Sequence, residues 1–563
     1  MKYIPSLLVY FMQERTTKRN IILLSKFFLT LAIIVGIFSV IFHVIMLYEG
    51  RDYSWITGIY WTLTVMSTLG FGDITFSTDL GLIFSLIVLL SGILLLLIML
   101  PFSFIRFFYA PWLSAQAKAR TPHELPEGTT EHIIITNIDP LTINLIGKLE
   151  LYGFKYAVVA GEMQQAIEYF DRGYKVIHGD LGDPKTYERM QVGNAAMVVV
   201  TNDDMMNTNI SFTVRGVCQH VPIVTNADND HSIDILEFAG STHVFPFMKM
   251  LGTSLGRRTL GVSMGTNIIG RFDQLLIAEA PAMRTPLEGK TLAEVKLREM
   301  TGVTVVGGWE RGVFGIPHAD TTITSSMVLV LAGSEEQLKK YDDYYCIDCE
   351  FGKPKASVLI LGGGRVGHAA AEALEEHDIA YKVVDKSTVV VKGKDSYIHG
   401  NAAERGVLEQ AGISEARSVI ITTHNDAVNI YLTIYCRQLR PDIQIISRAT
   451  QERNVSKLHR AGADLVMSYA SMGANVIMNL LNPNGVLTIA EELSVFRVPI
   501  HPSITGKTLQ QSMIREKTEC SVIAINRDGI PIFSPDPQME LLEEDELIIV
   551  GTGHAEKSFK ELY

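Results

Sequence analysis

Two long runs without Asp, Glu, Lys or Arg, residues 27–48 and 80–105, constrain this chain more than any other feature. Each run is long enough to cross about 30 Å of hydrocarbon as a helix. The hydrophobic content of 47% is also high for a chain with no part in lipid. We therefore predict two spanning helices, over residues 22–48 and 80–108, and the polar lead before the first distinguishes it from a cleaved signal peptide.

Basic residues flank both predicted spans on the side away from the loop that joins them. They are Lys2, Arg15, Lys18, Arg19 and Lys26 before the first uncharged run, and Arg106, Lys118 and Arg120 after the second. The positive-inside rule then places both termini in the cytoplasm, with the chain crossing the cell membrane more than once. The formal net charge of -12 favours a cation over nucleic acid as the partner.

The segment between the spans is also uncharged, but glycines interrupt it and it is rich in Thr and Ser. A third full span would put the two termini on opposite sides of the bilayer. A re-entrant segment over 54–73, with a short helix and an extended return, fits both facts. Because irregular backbone at membrane depth must be surrounded by protein or water, this segment predicts a pore.

The predicted return strand reads Thr68, Leu69, Gly70, Phe71, Gly72, Asp73. It resembles the selectivity filter of potassium channels, usually T-V-G-Y-G-D, in which four copies of the strand surround K⁺ with backbone carbonyls. Gly70 and Gly72 permit the positive backbone angles that aim carbonyls inward. Leu69 and Phe71 depart from the usual Val and Tyr, and Phe71 lacks a hydroxyl that could bond to surrounding aromatic residues. The resemblance implies a homotetramer in the bilayer.

Two residues of the second span are candidates for controlling the pore. Gly92 lies where related two-helix channels often have a hinge, and Leu97 follows about one helical turn later. A ring of four Leu97 side chains could close the pore by dewetting. The alternative is that Leu97 faces lipid, as its leucine neighbours do.

After residue 122 the sequence alternates short β runs with helical patterns, which predicts parallel sheets covered by helices. Several motifs then occur twice. His178-Gly179-Asp180 returns as His399-Gly400-Asn401, and Gly289-Lys290-Thr291-Leu292 returns as Gly506-Lys507-Thr508-Leu509. The fold class is therefore a membrane all-α pore domain fused to two α/β units, each with a Rossmann-like lobe and a smaller α/β C-terminal lobe.

This arrangement resembles tandem regulator-of-potassium-conductance (RCK) modules, built from TrkA-N and TrkA-C lobes. In that family, eight modules from four subunits form a gating ring that acts on the pore. The predicted boundaries are 1–20 for the cytoplasmic N-terminus, 21–108 for the pore domain, 109–130 for a linker, 131–255 and 256–345 for the lobes of the first module, 346–355 for a second linker, and 356–485 and 486–563 for the lobes of the second module.

The second module carries G-x-G-x-x-G directly after a buried-type strand and before a helical pattern, which is the context of a dinucleotide site. Asp385, about twenty residues later, could bind a ribose diol. Later strand ends match positions that often line the nucleotide in the family. The predicted nucleotide-binding residues are Gly362, Gly364, Arg365, Val366, Gly367, Asp385, Lys386, Gly400, Asn401, Ala402, Thr422, Thr423 and Arg448.

The first module departs from this pattern, because its equivalent loop has no glycine and contains Asp139 and Pro140. We expect no ordinary dinucleotide there, and we interpret Glu162, at the position of the ribose acid, as a solvated carboxylate. Some relatives bind Ca²⁺ through acidic strand ends of this module. The corresponding candidates are Asp203, Asp204, Asp228 and Asp230, with an acidic surface as the alternative.

These patterns together predict a ligand-gated potassium channel subunit, with NAD, ADP or ATP as the nucleotide and no enzymatic activity. The alternatives are a regulatory subunit of a potassium transport system and a membrane-anchored NAD-dependent oxidoreductase. Neither the sign of the response nor the choice among the nucleotides follows from the sequence. Cys346 and Cys349 form a single C-x-x-C, which lacks the second pair that a zinc site would need.

Overall fold

The computed structural model describes residues 15–109, 122, 124–272, 274–283, 285–310, 313–345, 357–388, 395–481, 486–490 and 493–563. The first fourteen residues, most of the predicted linker after the pore domain, and Cys346 and Cys349 lie outside the described residues.

The N-terminal part of the described chain is a helical pore unit. Its first helix is Arg15–Tyr48, and a short pore helix, Trp55–Met66, follows between the N-cap Ser54 and the C-cap Ser67. The second long helix begins at Asp79. Within the part of the chain that the structure describes, two helices are long and apolar enough to span a membrane, Ile22–Tyr48 and Asp79–Phe107, in agreement with the spans expected from the sequence.

The second long helix changes its winding along its length. It is α-helical over Asp79–Gly92, π-helical over Ile93–Met99, α-helical over Leu100–Phe104 and π-helical over Ile105–Tyr109. π-helical turns depart from the i→i−4 hydrogen-bonding pattern, and they often occur at functional sites. The first π segment begins directly after Gly92 and contains Leu97.

Aromatic packing holds the pore helix against the long helices. The Trp61 ring lies 4.9 Å from the Phe42 ring and 5.8 Å from the Phe84 ring, measured between centroids. Phe76, from the segment after the filter, packs edge-on against Trp61 at 5.2 Å. Each of these four side chains is buried, and together they form the aromatic part of the core of the unit. Their burial keeps the pore helix in one position.

The first module begins with a six-stranded sheet in the order β3-β2-β1-β4-β5-β6. Its strands are β1 (His132–Ile135), β2 (Lys155–Ala160), β3 (Val176–His178), β4 (Ala195–Val200), β5 (Ile223–Asn226) and β6 (His243–Phe245). Its helices are Pro140–Leu151, Met163–Asp171, Pro184–Arg189, Asp204–Val217 and Ile233–Phe238. This strand order is that of a Rossmann fold, as predicted.

One long helix, Phe247–Met264, connects this sheet to the C-terminal lobe of the first module. The lobe is a five-stranded antiparallel sheet in the order β10-β9-β11-β8-β7. Its elements are β7 (Asn267–Phe272), β8 (Leu275–Pro281), Leu292–Val295, Leu297–Thr301, β9 (Thr304–Glu310), β10 (Val313–Gly315), β11 (Met327–Gly333) and Glu335–Tyr345. The predicted boundary between residues 255 and 256 falls inside the connecting helix, because the chain passes between the lobes without a loop.

The second module repeats both sheets with the same topology, in the orders β14-β13-β12-β15-β16-β17 and β18-β19-β22-β20-β21. The first of its sheets contains β12 (Val358–Leu361), β13 (Tyr381–Asp385), β14 (Tyr397–His399), β15 (Ser418–Ile421), β16 (Gln444–Ala449) and β17 (Leu465–Ser468), with helices Arg365–Glu375, Arg405–Ala411, Asp426–Leu439 and Val455–Ala461. The connecting helix of this module is Tyr469–Leu481. The second sheet contains β18 (Val486–Ala490), β19 (Leu493–Pro499), β20 (Ser521–Arg527), β21 (Ile530–Phe533) and β22 (Glu546–Thr552). The helices of this lobe are Leu509–Ser512, Ile514–Thr518 and Gly553–Leu562.

The connecting helix of each module packs on the other module. Phe247–Met264 lies against Arg365–Glu375, the helix that follows the glycine loop, and Tyr469–Leu481 lies against Pro140–Leu151. The first contact is close: a Cβ added to Gly252 would lie 2.3 Å from the Val366 carbonyl oxygen. Because only a glycine permits this approach, the two modules are tightly packed beside the glycine loop.

The C-terminal lobes also exchange equivalent contacts. Arg298 of the first module donates a hydrogen bond to the Ser534 carbonyl oxygen at 2.7 Å, and Arg515 of the second donates to the Pro317 carbonyl oxygen at 2.8 Å. Both arginines follow the repeated Gly-Lys-Thr-Leu motif by the same spacing. The repeated motif in the sequence therefore corresponds to reciprocal contacts between the two C-terminal lobes.

Candidate functional site

The filter segment has the backbone that its glycines predict. Gly70 and Gly72 have φ values of 44° and 75°, in the left-handed region that glycine adopts at little cost. Thr68 also has a positive φ, 63°, which is uncommon for a β-branched residue. Thr68 and Gly70 line a cavity of about 420 Å³ with Val65 and side chains of the second long helix.

Hydrogen bonds from outside the filter hold its outer end. The Tyr60 hydroxyl donates to Asp73 Oδ2 at 3.3 Å, and Trp61 Nε1 donates to the Ile74 carbonyl oxygen at 3.1 Å. Arg51 donates to the Thr75 carbonyl oxygen at 2.9 Å. The pore helix and the loop before it thus supply donors near the position where Phe71 lacks a hydroxyl.

Gly92 and Leu97 differ in what surrounds them. A Cβ at Gly92 would lie 2.3 Å from the Met66 carbonyl oxygen, so the glycine lets the second long helix approach the end of the pore helix. Leu97 is 59% exposed within the single chain. The hinge at Gly92 and the gate at Leu97 stay predictions. The π-helical segment Ile93–Met99, which begins after Gly92 and contains Leu97, is a structural feature that the sequence did not indicate.

A cavity of about 780 Å³ lies at the carboxyl ends of the strands of the second Rossmann-like sheet. All of the residues predicted to bind nucleotide except Gly367 line it. Those lining residues are Gly362, Gly364, Arg365, Val366, Asp385, Lys386, Gly400, Asn401, Ala402, Thr422, Thr423 and Arg448. Open α/β sheets bind their ligands at the carboxyl ends of the strands, at the point where the strand order reverses.

Gly362, Gly364 and Gly367 are each needed for a different structural reason. Gly362 has a φ of 111°, and its carbonyl oxygen accepts a 2.6 Å hydrogen bond from the Thr422 hydroxyl. A Cβ at Gly367 would lie 1.8 Å from that same carbonyl oxygen, so Gly367 packs the helix on the loop and does not face the cavity. A Cβ at Gly364 would meet no atom within 4 Å, which leaves open space at the helix N-terminus where a phosphate can approach.

Asp385 and Arg448 are two of the charged residues that line the cavity. The Asp385 carboxylate accepts hydrogen bonds from the backbone N–H groups of Gly363, at 2.6 Å, and Ser387, at 2.7 Å. Arg448 is only 3% exposed, its Nε has no partner within the described residues, and burial lowers its pKa from the ordinary value. A buried guanidinium with an unused donor beside a cavity is suited to an anionic ligand.

The cavity also contains residues that sequence reasoning missed. Met248 comes from the connecting helix of the first module, while His424, Asn425 and Tyr431 follow β15 of the second. His424 and Asn425 directly follow the predicted Thr422 and Thr423, so a wider reading of that strand end could have found them, whereas Tyr431 lies on the helix Asp426–Leu439 that comes next. No local signal could have identified Met248, because it reaches the cavity only through the packing of the two modules.

The equivalent position of the first module is occupied by the chain itself. Asp139 caps the helix Pro140–Leu151: its Oδ1 accepts a 2.8 Å hydrogen bond from the Thr142 N–H. Burial raises the pKa of Asp139, although its hydrogen bonds with Thr142 oppose the shift. The carboxylate lies where a pyrophosphate would approach the helix, and Glu162 is exposed without a side-chain cap bond.

The four acidic candidates for a divalent cation all have other partners. Asp203 accepts from the Met206 N–H at 2.9 Å, Asp230 pairs with Lys249 at 2.5 Å, and Asp228 pairs with Arg365. Burial alone would raise the pKa of Asp204, but hydrogen bonds from residues 228, 229 and 232 hold it below the ordinary value. Within the described residues no group of three His, Cys, Asp or Glu side chains is placed to hold a metal ion, and a Ca²⁺ site stays a prediction.

Three families of known domains match the chain. The ion channel family matches residues 30–108, the TrkA-N domain matches 133–246 and 358–469, and the TrkA-C domain matches 280–345 and 493–563. The solved structure of the GsuK channel bound to NAD is 36% identical in sequence, with a TM-score of 0.57, and the alignment covers 96% of this chain and 99% of that one.

Two archaeal proteins are also similar. Potassium channel protein 1 of Methanocaldococcus jannaschii is 26% identical over 231 residues, which are 38% of this chain and 66% of that protein. Probable potassium channel protein 2 of the same organism is 28% identical over 219 residues, 35% of this chain and 64% of that protein. The chain thus spans about two thirds of the length of these two relatives.

The pore unit and the paired α/β modules define a two-helix ion-channel subunit with regulatory modules. The chain belongs to the family of potassium channels that carry RCK modules, built from TrkA-N and TrkA-C domains. This membership confirms the predicted fold class and the prediction that the Rossmann-like lobes are not those of an enzyme.

Proposed function

We propose that this chain is one subunit of a homotetrameric potassium channel in the cell membrane, opened or closed by a nucleotide that binds its second RCK module. K⁺ would be coordinated by the carbonyls of residues 68–72 from four chains. Both termini and all modules lie in the cytoplasm, because basic residues such as Arg106 flank the spans on that side.

The observation that carries the nucleotide assignment is the 780 Å³ cavity. It combines an open helix N-terminus at Gly364, a carboxylate at Asp385 and a buried guanidinium at Arg448, which suit a pyrophosphate, a ribose diol and a further anionic group. The GsuK relative binds NAD. We propose NAD for this chain, with ADP and ATP as the nucleotides to compare.

The packing of the modules provides a route by which ligand binding in the second module would change the arrangement of the first. The helix that starts at Arg365 directly follows the glycine loop. It packs on the connecting helix of the first module, at Gly252 and Gly256 of that connecting helix. A buried ion pair, Arg258 Nη2 to Glu279 Oε1 at 2.8 Å, joins that connecting helix to β8 of the first C-terminal lobe. A ligand that favours one position of the loop therefore shifts the equilibrium between two arrangements of the lobes.

Exposed apolar side chains support assembly of the modules into a ring. Equivalent helices of the two modules carry them: Met205 and Phe212 on Asp204–Val217, and Tyr431 and Ile434 on Asp426–Leu439. Phe238, on the next helix of the first module, is 92% exposed. Patches of this kind are typical of interaction surfaces, and a second copy is the occupant that fits, because the filter itself requires four chains.

Native mass spectrometry should show an assembly of four chains. A stable monomer would contradict the proposed tetramer.

The channel function is tested by single-channel recording from the purified protein in a planar bilayer. NAD, and then ADP, are added to the side that carries the modules. We expect a K⁺-selective current whose open probability changes with nucleotide. Gly364→Asp should abolish the response, because it puts a negative charge in the phosphate space without a steric conflict in the protein.

A matched control is Gly193→Asp, at an exposed glycine of the first module where a Cβ also meets no atom within 4 Å. It adds the same charge and should leave the nucleotide response unchanged. A current that ignores nucleotide in the wild type would refute the gating part of the proposal. The absence of any K⁺ current, with nucleotide still bound, would refute the channel part.

A further inference from the structure

The loop that should hold the phosphates of the nucleotide is tied to the other module by an ion pair. Arg365 Nη1 pairs with Asp228 Oδ1, and the same nitrogen donates to the Asp228 carbonyl oxygen at 3.2 Å. Arg365 belongs to the glycine loop of the second module, and Asp228 follows β5 of the first. Their side chains are 50% and 37% exposed, so water reaches the pair and it can open.

Asp228 is the fixed member of this pair. Its backbone N–H donates to Asp204 Oδ1 at 2.7 Å, and both the backbone and the side-chain nitrogen of Asn229 donate to Asp204 Oδ2. Asp204 therefore anchors the turn that presents the Asp228 carboxylate. Arg365 has a long side chain at the edge of an open cavity, so Arg365 is the member that can move.

The same guanidinium also faces the ligand space. Arg365 lines the cavity between Gly364 and Val366, at the start of the helix where a pyrophosphate would sit. A guanidinium binds a carboxylate and a phosphate with the same planar donors, so full contact with one competes with full contact with the other.

Charged side chains of both modules lie near the Tyr469 hydroxyl: Asp139 and Asp228 of the first module, and Arg365 and Arg448 of the second. An incoming pyrophosphate adds negative charge beside Asp228 and offers Arg365 a second anionic partner. Both effects oppose Asp228, one by repulsion and one by competition.

We propose that Asp228 of the first module sets the affinity of the nucleotide site in the second module, by holding Arg365 until a phosphate-bearing ligand displaces it. The ligand class follows: nucleotides with two or more phosphates compete for Arg365, and nucleosides do not. The first module also senses occupancy, because its β5 turn loses a partner when the ligand binds. This inference rests on the nucleotide-binding part of the proposed function.

The test is the binding of NAD, ADP and adenosine to the full-length channel in detergent, measured by isothermal titration calorimetry. In Asp228→Asn we expect NAD and ADP to bind about two- to fivefold more tightly, the size of a solvent-exposed ion pair. Adenosine should bind as it does to the wild type. Raising the salt concentration should reduce the difference, since the effect is electrostatic.

Two further variants make the test specific. Asp234→Asn removes an exposed acid from the next helix of the same module and should change no affinity. In an Arg365→Gln background, Asp228→Asn should lose most of its effect, because the two residues act as a unit. An equal gain in that background would mean general repulsion and would overturn the proposal.

The remaining outcomes separate this inference from the proposed function. If the wild type binds NAD and ADP but Asp228→Asn behaves like Asp234→Asn, only the role of Asp228 is wrong. If adenosine gains as much as ADP, the substitution acts on cavity shape and the role of Asp228 is again wrong. If the wild type binds no nucleotide, the nucleotide site itself is refuted, and this inference with it.

Discussion

Replacing Asp385 by alanine should weaken NAD binding by about 10- to 150-fold. The carboxylate already accepts the Gly363 and Ser387 N–H groups, at 2.6 and 2.7 Å, which fix its position at the end of β13. Its remaining lone pairs can accept hydrogen bonds from a ribose diol. A hydrogen bond to a charged group contributes roughly 1.5–3 kcal/mol, and this range corresponds to the expected loss in affinity.

Titration calorimetry on the full-length protein measures this loss, and NADP gives a second readout. The 2′-phosphate of NADP would lie beside the carboxylate, so Asp385→Ala should weaken NAD binding more than NADP binding. Asp385→Asn keeps an acceptor for the Gly363 N–H but has no charge. It should fall between the wild type and the alanine variant, which separates the loss of the ribose contact from a disturbed glycine loop.

The two modules provide a matched control. Glu162 occupies the equivalent position of the first module, where it is exposed and makes no side-chain cap bond. Glu162→Ala should leave the dissociation constants of both dinucleotides unchanged. An affinity for NAD within twofold of the wild type in Asp385→Ala, or an equal loss in Glu162→Ala, would refute the assignment of the ribose contact.

Three other substitutions test the structure along the chain. Arg258→Met leaves the Glu279 carboxylate, which is 4% exposed, without its counter-charge and should lower the free energy of unfolding by about 3–5 kcal/mol. Thermal unfolding measures this loss. Recovery of stability on adding Glu279→Leu would show that the lost charge balance, and not lost packing, is the cause. Tyr60→Phe removes the 3.3 Å hydrogen bond to Asp73 and should lower the K⁺ over Na⁺ permeability ratio; an unchanged reversal potential would show that the filter does not need it. Gly252→Ala places a Cβ 2.3 Å from a carbonyl oxygen and should reduce the change in open probability on adding nucleotide, and a full response would argue against coupling through these helices.

Much of the fold was predictable because its signals are local. The two spans, the pore helix between Ser54 and Ser67 and the alternating strands and helices follow from runs of residues close together in the chain. The repeated motifs predicted two modules of the same topology, and the two pairs of sheets have identical strand orders. The predicted lobe boundary at residue 255 falls inside the connecting helix Phe247–Met264, which has no turn signal within it.

The nucleotide-binding candidates also divide into those whose place at the cavity local sequence signals predicted and those whose place depends on the folded structure. Gly362, Gly364 and Asp385 stand in a known spacing after a strand, and parallel strands bring their carboxyl ends to one edge, so the sequence alone predicted that these three residues meet at the cavity. It did not indicate that Gly367 would face away from it. That follows from the 1.8 Å approach of a Cβ to the Gly362 carbonyl oxygen, which depends on the path of the folded loop.

The amino-acid sequence by itself determined the class of this protein: two spans, a filter strand and two repeated α/β modules, each encoded in consecutive residues. Only the tertiary structure decided how the modules act on one another. Met248 reaches the cavity of the second module, and Arg365 meets Asp228, a residue 137 positions away. Hydrophobic periodicity and motif spacing report on neighbours along the chain, whereas these contacts depend on how two separately encoded modules pack together.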